Sequence, residues 1–516
     1  MKLSRRDVLG LSAVAVTASA LPVLAFGAPK MPKRKPKNII YMVADGMALQ
    51  TVSMADQYLH LVEGKHGYWR WLLDQDFATH ALQDTRSLSS VVTDSAAAAS
   101  AWGSGRHVWN GMINMFPGGT KLTTINELMR GIGMKTGLVT TTTITHATPS
   151  GFSIQILQRD LERLIAEQHL TTNVDVLMGG GDKFFSANPD KGLDDLYPKF
   201  AAKGYTVMKN RSEMLAAKGT KFLGIFSSGH IPYTVDQKHD ASLQAVTPTL
   251  AEMTQFAIDR LKGSKEGFLL QVEGGRVDHA GHTNDAAALI HDQIAFEQAM
   301  KVAIDFAQKD GETLVVITTD HACGGPSLNG AGDEYFDSTA GLKSVASFAG
   351  SYDSLEKAWG KAPKDTDIQD VVYAKYRVRL SAEESAAVRD AISGRSPFRL
   401  NSFMGSWRAT LAQVLGNTSK IGFTSTNHSS DHVLMTAMGP GREMFSGFVP
   451  NVAVFDRLLA LRGLKHSNPT MSFEEAQSKM PEVRAAISPE LWDTYATHDD
   501  CGCGHGVDPW LAHRER

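Results

Sequence analysis

Ile39-Ile-Tyr-Met-Val-Ala44, closed by Asp45-Gly46, is the stretch on which the fold turns. Six apolar residues without polar alternation suit a strand buried on both faces, the pattern of a parallel sheet covered by helices. The same type of run recurs at Gly137–Thr142, Val174–Met178, Phe268–Val272, Thr313–Thr319 and Val433–Ala437. Between the runs lie stretches with apolar residues at helical spacing, including Asn126–Arg130, Thr249–Leu261 and Asp285–Gln308. Strands alternating with helices predict an α/β fold: a three-layer α/β/α sandwich around a mostly parallel sheet.

The residues just beyond each strand matter more than the strand itself. The first run leads to Asp45, the second to His146 and Thr148, the fourth to Glu273 and the fifth to Asp320-His321. Ligands in open α/β sheets bind beyond the carboxyl ends of the strands. Four strand ends bearing metal-ligating residue types therefore point to one site.

The densest cluster is Glu273-Gly-Gly-Arg-Val-Asp278-His279-Ala-Gly-His282. Asp278 and His282 are four apart, so a helix puts them on one face, where they either share an ion or form a simple surface pair. Carboxylate with imidazole suits Zn²⁺. A second cluster, Thr93-Asp94-Ser95-Ala-Ala-Ala-Ala99, reads as a helix start, because four alanines favour a helix. Ser95 is then either the N-cap of that helix or a nucleophile held where the helix N-terminus favours an anion.

The chain of 516 residues has 42% hydrophobic and 21% charged residues and a net charge of -3, so it carries no general polyanion-binding surface. Nucleic acid is not an expected partner. Residues 1–28 read as a twin-arginine export signal: Arg5-Arg6, an apolar run from Val8 to Leu24, then small residues at Ala25, Gly27 and Ala28. The alternative, a membrane anchor, asks for a span of ~20 apolar residues, longer than this run. Cleavage removes three cations and one anion and takes the net charge from -3 to -5. Residues 29–490 form the catalytic domain, interrupted by a Gly/Ser/Asp-rich insertion at about 330–422. One helix is plain in that insertion, with a capping box at Ser381-Ala-Glu-Glu384 and a stop at Gly394. A loosely packed tail is expected over 491–516, where Cys501, Cys503 and His505 read as mobile residues rather than ligands. Cys323 reads as a packed thiol.

Taken together, the segments Thr93–Ala99 continuing to Asn110-Gly111, Val272–His282, Thr319-Asp320-His321 and Asn427-His428-Ser429 resemble the alkaline phosphatase family. The resemblance covers roughly 37–325 and 421–464. It implies hydrolysis of phosphate monoesters through a phosphoserine on Ser95. It implies two Zn²⁺ ions, one held by Asp278, His282 and His428, the other by Asp45, Asp320 and His321. A third ion, usually Mg²⁺, would lie on Asp45, Thr148 and Glu273. Arg159 would fork onto the phosphate oxygens and Asp94 would position it. The resemblance also implies a homodimer and a periplasmic or secreted location. His432, four residues beyond His428, competes for the ligand role, and the motif favours His428.

Three departures stand out. Ala48 replaces a usual glycine, the insertion has no counterpart, and His146 and His279 stand where some members have an acid and a lysine. Those imidazoles are expected to sit around the third ion and weaken its preference for Mg²⁺ over Zn²⁺ or Co²⁺. The rivals are a phosphodiesterase or sulfatase of the same superfamily and a non-catalytic metal- or phosphate-binding protein. Ser95 with Arg159 favours monoesters, which offer two free oxygens, and no ligand position is missing.

Overall fold

The computed structural model describes Pro32 and residues 34–395 and 401–495. The export signal and the Cys501–His505 cluster lie outside the described residues. Ten strands form one sheet: β1 Asn38–Val43, β2 Ala78–Gln83, β3 Lys135–Thr143, β4 Val176–Gly180, β5 Tyr205–Met208, β6 Lys221–Ile225, β7 Phe268–Glu273, β8 Thr313–Thr318, β9 Val433–Met438 and β10 Gly447–Val449. Their spatial order is β10-β2-β9-β8-β1-β7-β3-β4-β6-β5. All six expected runs are strands, but the expectation that Val433–Ala437 runs parallel to its neighbours fails. β9 pairs antiparallel with both β8 and β2, against the direction of the other strands. Its apolar run is equally compatible with either direction, because both of its faces are covered.

Alternation along β1 builds the layers. Ile40 and Met42 join one apolar cluster with Leu289, Phe296 and Met300 of the long helix Ala286–Asp310. Ile39, Tyr41 and Val43 join the other, with Trp102, Phe152 and Phe455. Each strand residue feeds the helical layer on its own side, and every residue of β1 is buried. Burying each large aliphatic side chain contributes ~1.5–3 kcal/mol, so the central strands are the firmest part of the chain.

Register then places the chemistry. Val43 at the end of β1 pairs with Glu273 of β7 on one side and Thr318 of β8 on the other. Thr140 of β3 also pairs with Glu273. The strand ends are therefore level, and the residues just beyond them emerge along one edge.

Three helices carry site residues, α1 Ser95–Ser104, α2 Ala147–Ser150 and α3 Arg276–Thr283, and the long α4 Ala286–Asp310 packs behind them. The alanines of α1 do more than favour a helix. They let α1 press against the α2 turn so closely that a Cβ on Gly103 would lie 1.8 Å from the Gly151 carbonyl oxygen.

The insertion is more regular than its composition suggests. It holds α5 Phe336–Ser344, α6 Tyr352–Trp359, α7 Asp365–Tyr376, α8 Ala382–Ile392 and α9 Trp407–Ser419. The expected capping box opens α8, with Ser381 and Glu384 bonded reciprocally. Two of the other four, α6 and α9, begin at serine caps, Ser351 and Ser406, which read as loop in the sequence. Asp285 docks this unit: one carboxylate oxygen caps α4 through the amides of Ala287 and Ala288, and the other accepts from the Tyr352 amide at 2.6 Å. Past residue 488 the chain forms a helix, Pro489–Tyr495, with Trp492 buried among Ile156, Leu161 and Ile165. The first five residues of the expected loose tail are thus helical, and one of them, Trp492, is packed. Among the described residues no helix is long and apolar enough to cross a membrane.

Candidate active site

The loop after β1 puts Asp45 at the centre, fully buried. Gly46 comes next with φ +70°, and a Cβ there would lie 2.3 Å from Asp278 Oδ1, so only glycine lets this loop meet α3. The Gly46 amide donates to Asp320 Oδ1 at 3.0 Å. Asp45 Oδ2 accepts from Thr148 Oγ1 at 2.9 Å.

Ser95 is not the helix cap. Asp94 takes that role, accepting from the Ala97 amide at 2.9 Å, and Ser95 is the first helical residue. Its hydroxyl is thereby spared from capping. Ser95 Oγ lies 3.2 Å from His321 Nε2 and 3.5 Å from Asp45 Oδ1, in a position 1% exposed. The second oxygen of Asp94 accepts from the Gly111 amide at 2.9 Å and from Arg159 Nη1 at 3.2 Å. Arg159 Nη2 donates to His146 Nε2 at 2.9 Å. One carboxylate thus fixes both the helix start and the guanidinium beside it.

Three groups of side chains bring their candidate ligand atoms within 4.8 Å of one another: Asp278, His282, Cys323 and His428; Asp45, Asp320 and His321; and Asp45, His146 and Glu273. Asp278, His282 and His428 thus stand together, as do Asp45, Asp320 and His321, with Cys323 beside the first set; in the third group His146 joins Asp45 and Glu273, while Thr148 reaches it through its bond to Asp45. Cys323 sits beside the first set because its two-residue strand pairs it directly with His428. His146 joins the third set, with Nδ1 3.8 Å from Glu273 Oε1. His279 is absent from all three. His432 packs edge-on against Phe448 instead, at 5.1 Å between centroids, which favours His428 as the expected ligand.

Hydrogen bonding shows that these groups suit cations. His282 Nδ1 lies 2.6 Å from the Thr426 carbonyl and His428 Nδ1 lies 2.8 Å from the Thr93 carbonyl. A carbonyl only accepts, so both rings carry hydrogen on Nδ1. Burial first, then the neighbouring His321 ring, holds His428 well below the usual imidazole range, so it is neutral. The two Nε2 atoms lie 2.9 Å apart, with Asp278 Oδ2 3.3 Å from that of His282. Two imidazole nitrogens and a carboxylate oxygen thus converge on one point, the donor set that suits a cation such as Zn²⁺. Asp278 Oδ1, Asp320 Oδ2, Glu273 Oε1 and His321 Nδ1 are buried without hydrogen-bond partners. Burial and then the charges of Asp320, Asp278 and Glu273 push the Asp45 carboxyl well above the ordinary range. So many buried acids need positive charge among them.

Some participants were not visible in sequence. Thr140 and Thr142 donate to Glu273 Oε2 and orient that carboxylate. His230 accepts from the Thr143 amide at 3.1 Å on Nδ1 and lies 4.4 Å from the His279 ring. The threonine run Thr140–Thr143 was plain in the sequence, but its pairing with Glu273 of another strand was not. A histidine in a distant loop offered no signal.

The family model for alkaline phosphatase matches residues 36–464. Alkaline phosphatase 3 of Bacillus subtilis is 31% identical over 433 residues, covering 81% of this chain and 87% of the relative. Among solved structures, the alkaline phosphatase of Thermus thermophilus superposes with a TM-score of 0.84 at 34% identity, covering 90% of this chain and 99% of that one. A cold-active alkaline phosphatase from Shewanella gives a TM-score of 0.69 at 28% identity, over 82% of this chain and 99% of that one. The matched region includes every residue of the three ligand groups, Ser95 and Arg159. The chain belongs to the alkaline phosphatase family, metal-dependent hydrolases of phosphate monoesters.

Proposed function

We propose that this chain hydrolyses small phosphate monoesters through a phosphoserine formed on Ser95. One observation carries the reading: a serine relieved of capping, at the first turn of a buried helix, meets two clusters of candidate ligand atoms and an arginine held by Asp94. Asp278, His282 and His428 suit one Zn²⁺, and Asp45, Asp320 and His321 a second. Asp45, Thr148 and Glu273 offer oxygens suited to Mg²⁺. When bound, such cations supply Lewis acidity and positive charge, favouring the ionised serine and offsetting charge on the phosphoryl group and leaving oxygen.

The chain's own groups supply the rest. Ser95 Oγ attacks phosphorus in line; the new Oγ–P bond forms as the ester P–O bond breaks and the alcohol departs. Water then attacks the phosphoserine, restoring Ser95 and releasing inorganic phosphate. Arg159 aims two N–H donors at the phosphoryl oxygens, and Asp94 fixes its angle. A diester has one free oxygen fewer for that fork, which favours monoesters. The helix N-terminus of α1 adds partial positive charge beneath the reacting oxygen.

Ser95→Ala is expected to abolish the trapped phosphoenzyme and lower turnover by roughly three orders of magnitude or more. Recovery of labelled phosphate on a different residue of the native protein would contradict the assignment.

His146 bears on the third cation. Arg159 donates to its Nε2, so its Nδ1 carries the hydrogen and faces Glu273. A neutral ring stands where a carboxylate would add negative charge, which lowers affinity for Mg²⁺. His146→Asp is expected to tighten Mg²⁺ binding roughly tenfold, about 1.4 kcal/mol, measured by titration of Zn²⁺-loaded protein. Unaltered Mg²⁺ affinity would remove His146 from this role.

The family's frequent export, with Arg5-Arg6 and the apolar run after it, supports cleavage after residue 28 and a periplasmic or secreted location, while a homodimer is proposed from the family resemblance alone. N-terminal sequencing of exported protein checks the first point: a chain still beginning at Met1 would refute it.

A further inference from the structure

Arg276 lies one residue before Val277 and two before Asp278, at the start of α3. Its guanidinium is buried, stacked over the Tyr233 ring at 3.6 Å. One arm, Nη2, donates to Asp353 Oδ2 at 3.2 Å. Asp353 belongs to α6, inside the insertion, and its other oxygen accepts from Arg408 of α9 at 3.1 Å. Arg408 also donates to Glu356 of α6 at 2.7 Å. The second arm of Arg276, Nη1, lies 2.7 Å from His279 Nδ1.

Donor and acceptor chemistry makes that last contact decisive. A guanidinium has only donors, so His279 Nδ1 must present a lone pair. The ring therefore carries its hydrogen on Nε2. Nε2 is buried and has no hydrogen-bond partner in the protein. The ring stands edge-on to His146 at 5.6 Å between centroids, and His146 in turn holds Arg159. A cation ligand needs a lone pair at Nε2; an oxyanion needs the N–H.

We propose that the insertion at 330–422 acts on the catalytic centre through an Asp353–Arg276–His279 relay. Asp353 holds the guanidinium, and the guanidinium fixes His279 as an Nε2–H donor for a phosphoryl oxygen rather than as a metal ligand. Arg276 and Asp353 are positioning residues in this scheme. The relay deepens the phosphomonoesterase reading and rests on it for the identity of the oxyanion. It also parts His279 from His146: the two imidazoles expected to soften the third metal site have different tasks.

The direct test is nitrogen NMR of the full-length, metal-loaded protein with ¹⁵N-histidine, with His279→Gln used to assign the signal. The native protein is expected to show His279 with an unprotonated Nδ1 and a protonated Nε2. Arg276→Met keeps an apolar stem over Tyr233 and removes the donor, so the hydrogen should move to Nδ1 or exchange between the two nitrogens. Arg276→Lys should restore the native pattern, and Asp353→Asn, at a half-exposed position, should weaken it without unfolding risk. Monoester kcat/KM should fall roughly tenfold in Arg276→Met and recover in Arg276→Lys. Hydrogen on Nδ1 in the native protein, or an Nε2–H pattern unmoved by Arg276→Met, would overturn the relay. If the native protein proved inactive on monoesters, the functional reading would fall, while the ¹⁵N pattern would still decide the relay.

Discussion

Four buried carboxylates, Asp45, Glu273, Asp278 and Asp320, converge at the carboxyl edge of the sheet. That concentration of negative charge is the constraint on which the rest of the structure depends. In a medium of low dielectric, such charges repel strongly and are each costly to remove from water. The imidazoles beside them are themselves buried, and the Nδ1–H groups of His282 and His428 are spent on backbone carbonyls, so the protein's own groups do not neutralise them all. The arrangement is held together by the rigidity of what lies beneath. β1, β7 and β8 end level because their register is fixed by apolar residues on both faces. A slip of one residue would turn Ile40 and Met42 into the wrong layer. The stability of the core is thus what keeps the acids together until cations are bound.

Around this basin the fold divides its labour by element. Strand ends supply the acids, because loops there face one edge. The helix α3 supplies Asp278 and His282 one turn apart. The helix α1 supplies a serine that Asp94 frees from capping, and the other oxygen of Asp94 holds Arg159. The loop after α9 brings His428, which stacks on His321 with centroids 3.5 Å apart and ties two ligand groups into one unit. The insertion packs behind this edge and is anchored by buried acids of the main body, Asp285 above all. That anchoring places Asp353 within reach of Arg276 and links a peripheral unit to the centre.

Much of this was legible in the amino-acid sequence, for reasons that differ between parts. The six apolar runs announced the sheet because full burial leaves no room for polar alternation. Their direction was less legible: an all-apolar strand such as Val433–Met438 reads the same parallel or antiparallel. Asp45, Glu273 and Asp320 stood out because each comes directly after a strand. Ser95 was ambiguous, since caps and nucleophiles share a residue type; the geometry of Asp94 resolved it. Two helices of the insertion, α6 and α9, were masked by the serines that cap them. Arg276 and His230 escaped because their meaning lies in partners far along the chain, and the opposite tautomers of His146 and His279 are set by which arginine donates to which nitrogen. No residue type or spacing encodes that.

If the carboxylate–imidazole basin is a cation site that drives phosphomonoester hydrolysis, activity and metal content must rise and fall together. Stepwise chelation of the purified protein, with zinc and magnesium content and monoester turnover measured in the same samples, tests this most directly. Two zinc ions and one magnesium ion per chain are expected at full activity. Turnover should be lost in step with zinc and recovered when zinc and magnesium are restored. Full monoester turnover in protein stripped of all divalent metal would contradict it.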